Sequence, residues 1–113
     1  MTAPVPPPND RLAGLVAVLG EADARELVQI FLSSLPPLRD ELSSGDRGRS
    51  HRAAHSLKSS AQQMGVPVVA EQMAKLEHRL AQPDGIVTPA DLEALAAELA
   101  RVEPALRAFA GTA

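Results

Sequence analysis

A histidine, a lysine, a small hydroxyl residue and an amide recur at helical spacing in the middle of this chain, a set that could carry a phosphoryl group. The stretch is Ala53-Ala54-His55-Ser56-Leu57-Lys58-Ser59-Ser60-Ala61-Gln62-Gln63-Met64-Gly65. Wound at about 100° per residue, it separates into two faces. Ala54, Leu57, Ala61 and Met64 form an apolar seam, while His51, His55, Lys58, Ser59 and Gln62 form a polar stripe. Phosphoryl transfer through histidine needs an accessible, neutral ring nitrogen. It also needs positive charge or hydrogen-bond donors near the moving oxygens, and space for a partner's active site. His55 supplies the nucleophile. Lys58, one turn on, brings an ammonium beside it. Ser59 is small enough to leave the ring uncovered and carries a hydroxyl, and Gln62 adds an amide donor two turns along. An ordinary solvated helix face has the same composition, so these residue types alone leave both readings open.

The elements that must hold such a stripe can be read from the rest of the chain. Its 113 residues suit one domain with one modest core. Ala and Leu are abundant, with two Phe and no Tyr or Trp, which favours helices packed through small side chains over a sheet. The absence of cysteine excludes disulfides and thiolate chemistry and fits a cytoplasmic protein. No apolar run approaches the roughly 20 residues that span a bilayer, and Met1 to Pro8 has no signal-peptide pattern. A formal charge of −3 argues against a general nucleic-acid binder.

In chain order, residues 1–8 read as a Pro-rich disordered or extended leader. Asn9 or Asp10 can cap a short helix with Leu12, Leu15, Val16 and Leu19 as its apolar positions, stopped near Gly20. A second helix begins near Asp23, with Leu27, Ile30, Phe31, Leu35, Leu38 and Leu42 as its inward set. Pro36 and Pro37 predict a kink or a break in it. Asp46 caps the third helix, which carries the polar stripe and closes at Gly65. Val66, Val69, Met73, Leu76 and Leu80 step as an inward stripe along a fourth helix, ended by the turn Gln82-Pro83-Asp84-Gly85. Thr88, Pro89 and Asp91 start a fifth through a variant capping box. Leu92, Leu95, Leu99, Val102, Leu106 and Phe109 line that helix, with a kink expected at Pro104. The expected fold is all-α, an antiparallel four-helix bundle over residues 9–110 with a short additional N-terminal helix and a tail at 111–113.

The order of residues around His55 goes further than their types. His55-Ser56-Leu57-Lys58-Ser59-Ser60, with Gly65 ten positions after the histidine, resembles the motif of the histidine-containing phosphotransfer (HPt) domain. That family's pattern runs Ala-His-x-Leu-Lys-Gly-Ser/Ala, then a short gap and Gly. Phe31-Leu32 with Leu35-Pro36 and Leu42 is similar to the family's second helix. Asp46 and Leu76-Glu77 also stand where the family usually has such residues, and the likeness extends from Leu12 to Phe109. The resemblance implies a carrier in a two-component phosphorelay. It would take a phosphoryl group from a receiver-domain aspartate onto His55 and pass it to another receiver, with Lys58 steadying the charge and Gly65 closing the helix. Response-regulator receivers and a hybrid histidine kinase would be its partners. Mg²⁺ would come with the receiver, and this chain would need no cofactor or metal of its own. Ser59 departs from the family's Gly, with slower transfer or altered partner preference as the expected consequence.

No Gly-rich nucleotide loop is present, and the residue after His55 is Ser56 rather than the acid typical of sensor-kinase dimerisation helices. A phosphoryl carrier rather than an ATP-dependent kinase is therefore expected. Its docking surface should surround His51, His55, Lys58, Ser59 and Gln62, with Leu12, Leu15 and Val16 at the edge and the chain monomeric. Neither nucleic acid nor membrane is an expected partner. Two other readings compete. His51 and His55 have the i,i+4 spacing of a metal site, for which only His78, with Glu77 beside it, offers a further ligand. The stripes Leu27–Leu42 and Leu92–Phe109 could instead serve a non-catalytic dimerising bundle, although building the monomer core is the simpler use.

Overall fold

The computed structural model describes residues 5–111; the first half of the expected leader (residues 1–4) and the last two tail positions (112–113) lie outside them. Five helices follow one another: α1 (Asp10–Leu19), α2 (Glu21–Leu42), α3 (Arg47–Met64), α4 (Pro67–Leu80) and α5 (Pro89–Ala110), with no strand among the described residues. Among the described residues no helix is long and apolar enough to cross a membrane.

Local chemistry accounts for most of the boundaries. The Asn9 side chain accepts from the Leu12 N–H and caps α1, and the Asp46 side chain accepts from the Arg49 N–H and caps α3. At the start of α5 the Thr88 side chain accepts from the Asp91 N–H. The Asp91 carboxylate accepts from the Thr88 N–H in return, which completes the capping box. Gly65 ends α3 in the left-handed conformation, φ 73° and ψ 35°. It also sits against Asn9, whose Nδ2 donates to the Met64 carbonyl at 3.0 Å. A Cβ at Gly65 would fall 2.3 Å from Asn9 Oδ1, so backbone conformation and crowding both call for glycine here.

Of the kink or break expected at Pro36 and Pro37, the break does not occur, and one part of α2's inward face needs correction. α2 runs unbroken through Pro36 and Pro37, and α5 through Pro104. All three prolines are exposed, on faces where water can meet the carbonyls left without an N–H donor. Ile30, assigned inward by periodicity, is 57% exposed. Ala24, Val28 and Leu32 are buried with Phe31, Leu35 and Leu42, while Leu27 and Leu38 pack at the margin. Apolar residues occupy more than one face of this helix, and packing selects the stripe that periodicity alone did not.

One hydrophobic core draws on all five helices. α2 packs on α3 and α5, α4 packs on α3 and α5, and α1 lies against α2 and α3. The seam of α3 and the stripe of α4 are buried as expected: Ala54, Leu57, Ala61 and Met64 on one side, and Val66, Val69, Met73, Leu76 and Leu80 on the other, all belong to the core. Ser50 is the one buried polar side chain among the described residues. Its hydroxyl donates to the carbonyls of Glu41 and Leu42, where α2 ends.

Candidate functional site

The site is built on α3 and completed by α4. The two helices pack extensively after the turn at Gly65, and Ala53, Ala54, Ala61 and Ala70 are buried small side chains of the pair. In an antiparallel pair, residues at similar distances from the turn lie side by side. His55 is ten residues before Gly65 and Glu77 twelve after it, so α4 delivers Glu77 to the exposed face of α3.

Glu77 bridges the two central residues of the polar stripe. Its Oε2 lies 2.5 Å from His55 Nδ1, and its Oε1 accepts from Lys58 Nζ at 2.8 Å. The imidazole is open, 63% exposed, whereas the Glu77 and Lys58 side chains are shielded, at 20% and 24%. A carboxylate can only accept, so His55 Nδ1 carries the proton in this contact. In the neutral ring the lone pair is then on Nε2, which has no hydrogen-bond partner among the described residues. The Lys58 ammonium, and secondarily the His55 ring, hold the Glu77 carboxyl below its ordinary range against the opposing effect of partial burial. The arrangement fixes a tautomer, exposes one nitrogen of an oriented ring, and keeps a cation within one helical turn.

The other residues of the stripe are less engaged. Ser59 and Gln62 are exposed and make no side-chain hydrogen bond among the described residues. Gln62 borders an open depression with Asn9, Asp10 and Arg11, so the first turn of α1 lies beside the C-terminal part of the stripe. His51 is half-buried near the end of α4. Leu12 is corrected from docking residue to core, because it is fully buried and offers a partner nothing. Leu15 and Val16 are half-buried and pack on the core. The metal alternative finds no donor set: no group of three or more His, Cys, Asp or Glu side chains suited to a metal ion converges among the described residues.

Glu77 was noted in the sequence only for its place in a family pattern and as a neighbour of His78, and its role in the site was missed. The signal was available in its distance from Gly65, once α3 and α4 are taken as an antiparallel pair.

Fold and site together define a small all-helical protein with an exposed histidine oriented by a neighbouring carboxylate. Residues 26–105 match the Hpt domain family, and the chain belongs to it. No curated protein and no solved structure matches the chain. Membership brings a phosphotransfer role in a phosphorelay, with receiver domains and kinases as the proteins it works with.

Proposed function

We propose that His55 is the phosphorylated residue of this Hpt domain, receiving the group from a receiver-domain aspartyl phosphate and passing it to a second receiver. The observation that carries the reading is the Glu77 bridge, which leaves His55 Nε2 as the free nucleophile beside Lys58. In the forward step Nε2 attacks phosphorus, and the phosphorus–oxygen bond to the aspartyl carboxylate breaks, its electron pair leaving with the carboxylate. The ring becomes a cation, its Nδ1 proton still donated to Glu77, whose negative charge offsets it. Lys58 can turn its ammonium from Glu77 toward the phosphoryl oxygens. Ser59 and Gln62 shape access, with Ser59 in place of the family's Gly slowing transfer or shifting partner preference.

The scaffold in this reading is an antiparallel four-helix bundle of α2 to α5 with α1 as an addition. It is supported by the closed circuit in which each of those four helices touches two of the others. Residues 9–110 are the working unit, flanked by the leader 1–8 and the tail 111–113. The carrier acts as a cytoplasmic monomer and needs no cofactor of its own, and Mg²⁺ belongs to the receiver. A hybrid histidine kinase supplies the relay through its receiver. The test is a phosphotransfer profile against candidate phosphorylated receivers, run beside ATP alone. Transfer from at least one receiver and no label from ATP is expected. Labelling by ATP alone would show an autokinase and contradict the carrier reading.

A further inference from the structure

The four Lys and Arg residues of α3 differ in what holds them, and the helix contains no Asp or Glu. Arg47 Nη1 donates to the Gln82 carbonyl at 2.7 Å and also to that of Pro83. Arg49 pairs with Glu41 at 3.2 Å, and Lys58 with Glu77 at 2.8 Å. Arg52 makes no hydrogen bond or ion pair with any described residue, and it is exposed. It stands three residues before His55, one turn away on the same side of the helix and next to His51. Along α3, the positive charge nearest the imidazole that no described residue holds in a hydrogen bond or ion pair is therefore Arg52, not Lys58.

The surroundings of Arg52 leave room for an incoming side chain. A Cβ placed on Gly48 would stand 3.8 Å from Arg52 Nη1 and 3.4 Å from Asp46 Oδ1, so the guanidinium lies beside a residue with no side chain of its own, with the Asp46 carboxylate near it but making no ion pair with it. Arg47, Gly48, His51, Arg52, Leu80 and Ala81 border an open depression of about 420 Å³ between the start of α3 and the end of α4. A receiver that presents an aspartyl phosphate must also hold Mg²⁺ with carboxylates, which makes the approach to its site rich in acidic groups. A forked guanidinium is suited to bind one of them by two parallel hydrogen bonds.

We propose that Arg52 is a docking residue, pairing with a carboxylate of the incoming receiver at this depression and so selecting partners by their acidic rim. The proposal rests on the reading of His55 as the phosphoryl carrier. Arg52 acts on encounter and affinity, not on the reacting atoms, as exposed interface charges do.

The test compares wild type, Arg52→Gln and Arg49→Gln as recipients from one phosphorylated receiver, over a range of receiver concentrations and at low and high salt. Direct labelling by phosphoramidate, a small donor that needs no docking, is run in parallel. Arg52→Gln should lower the second-order transfer constant by roughly three- to tenfold at low salt, with the gap narrowing at high salt. The rate at saturating receiver and the phosphoramidate rate should stay within about twofold of wild type, since those steps do not depend on encounter. Arg49→Gln should have the smaller effect. Equal constants for wild type and Arg52→Gln at low salt would overturn the docking role alone. An equal loss in the phosphoramidate reaction would also overturn it, by placing Arg52 in the chemistry or the fold. A wild-type chain labelled by no receiver would remove the His55 reading and this proposal together.

Discussion

His55 Nδ1 and Glu77 Oε2 lie 2.5 Å apart, which ties the open imidazole of α3 to a shielded carboxylate of α4. If that contact orients the ring and fixes its tautomer, Glu77 is a positioning residue. Glu77→Ala should slow transfer onto His55 by roughly 10- to 100-fold, the range found when the residue that orients a metal-bound histidine is lost. Glu77→Gln, which can still accept from Nδ1 but cannot balance its charge, should fall in between. Imidazole ¹⁵N shifts should report Nδ1–H in the neutral wild type and a mixture of tautomers in Glu77→Ala. An unchanged tautomer and an unchanged rate in that variant would remove Glu77 from the site.

The same carboxylate makes stability depend on pH with a definite sign. Lys58 first, and His55 after it, lower the Glu77 carboxyl below its ordinary value of 4.5 in the folded chain. A depressed folded value means that the unfolded state binds the proton more readily. The stabilisation is therefore present above 4.5 and is lost as pH falls through the folded value. Urea unfolding should show wild type and Glu77→Gln converging as the medium is acidified through that window. A gap that widens on acidification would have the wrong sign.

Lys58 is shielded and already paired, so its removal tests charge more than folding. Lys58→Ala should change stability by about 1 kcal/mol or less. It should slow transfer or shorten the lifetime of the phosphohistidine on the order of 10-fold, below the effect of a fully buried donor. Stopped-flow transfer and the decay of the isolated phosphorylated chain measure the two quantities. If both match wild type, Lys58 has no part in the mechanism.

Gly65 and Asn9 form a structural pair at the far end of α3. Gly65→Ala puts a side chain at φ 73° and 2.3 Å from Asn9 Oδ1, which should cost about 1–3 kcal/mol. Asn9→Ala alone should cost about 0.5–2 kcal/mol through loss of the α1 cap. The double variant should lose less than the sum, because removing the amide relieves the crowding. Strict additivity in thermal or urea unfolding would show that the two residues do not meet in solution.

Local signals made much of this molecule legible in its sequence. The seam of α3, the stripe of α4 and the Thr88–Asp91 capping box were all written in nearest-neighbour spacing, and each formed where that spacing placed it. Long-range choices were harder to read. Ile30 and Val28 are both apolar at helical spacing, and only contact with α3 and α5 decides that Val28 is buried and Ile30 exposed. Leu12 was offered as a docking residue because periodicity marks an apolar face without naming the helix that covers it. Glu77 escaped for the same reason, since its partners are 22 and 19 residues away along the chain. Pro36 and Pro37 exposed a different limit: a proline removes a hydrogen bond, but on a solvent face the helix can continue.

The central claim is that His55 carries the phosphoryl group, and mapping the label tests it most directly. The chain is incubated with a phosphorylated receiver that transfers to it, beside His55→Gln, His51→Gln and His78→Gln. An acid-labile, base-stable label is expected on wild type, on His51→Gln and on His78→Gln, and none on His55→Gln. Label that persists in His55→Gln, or that disappears only when another histidine is replaced, would contradict it.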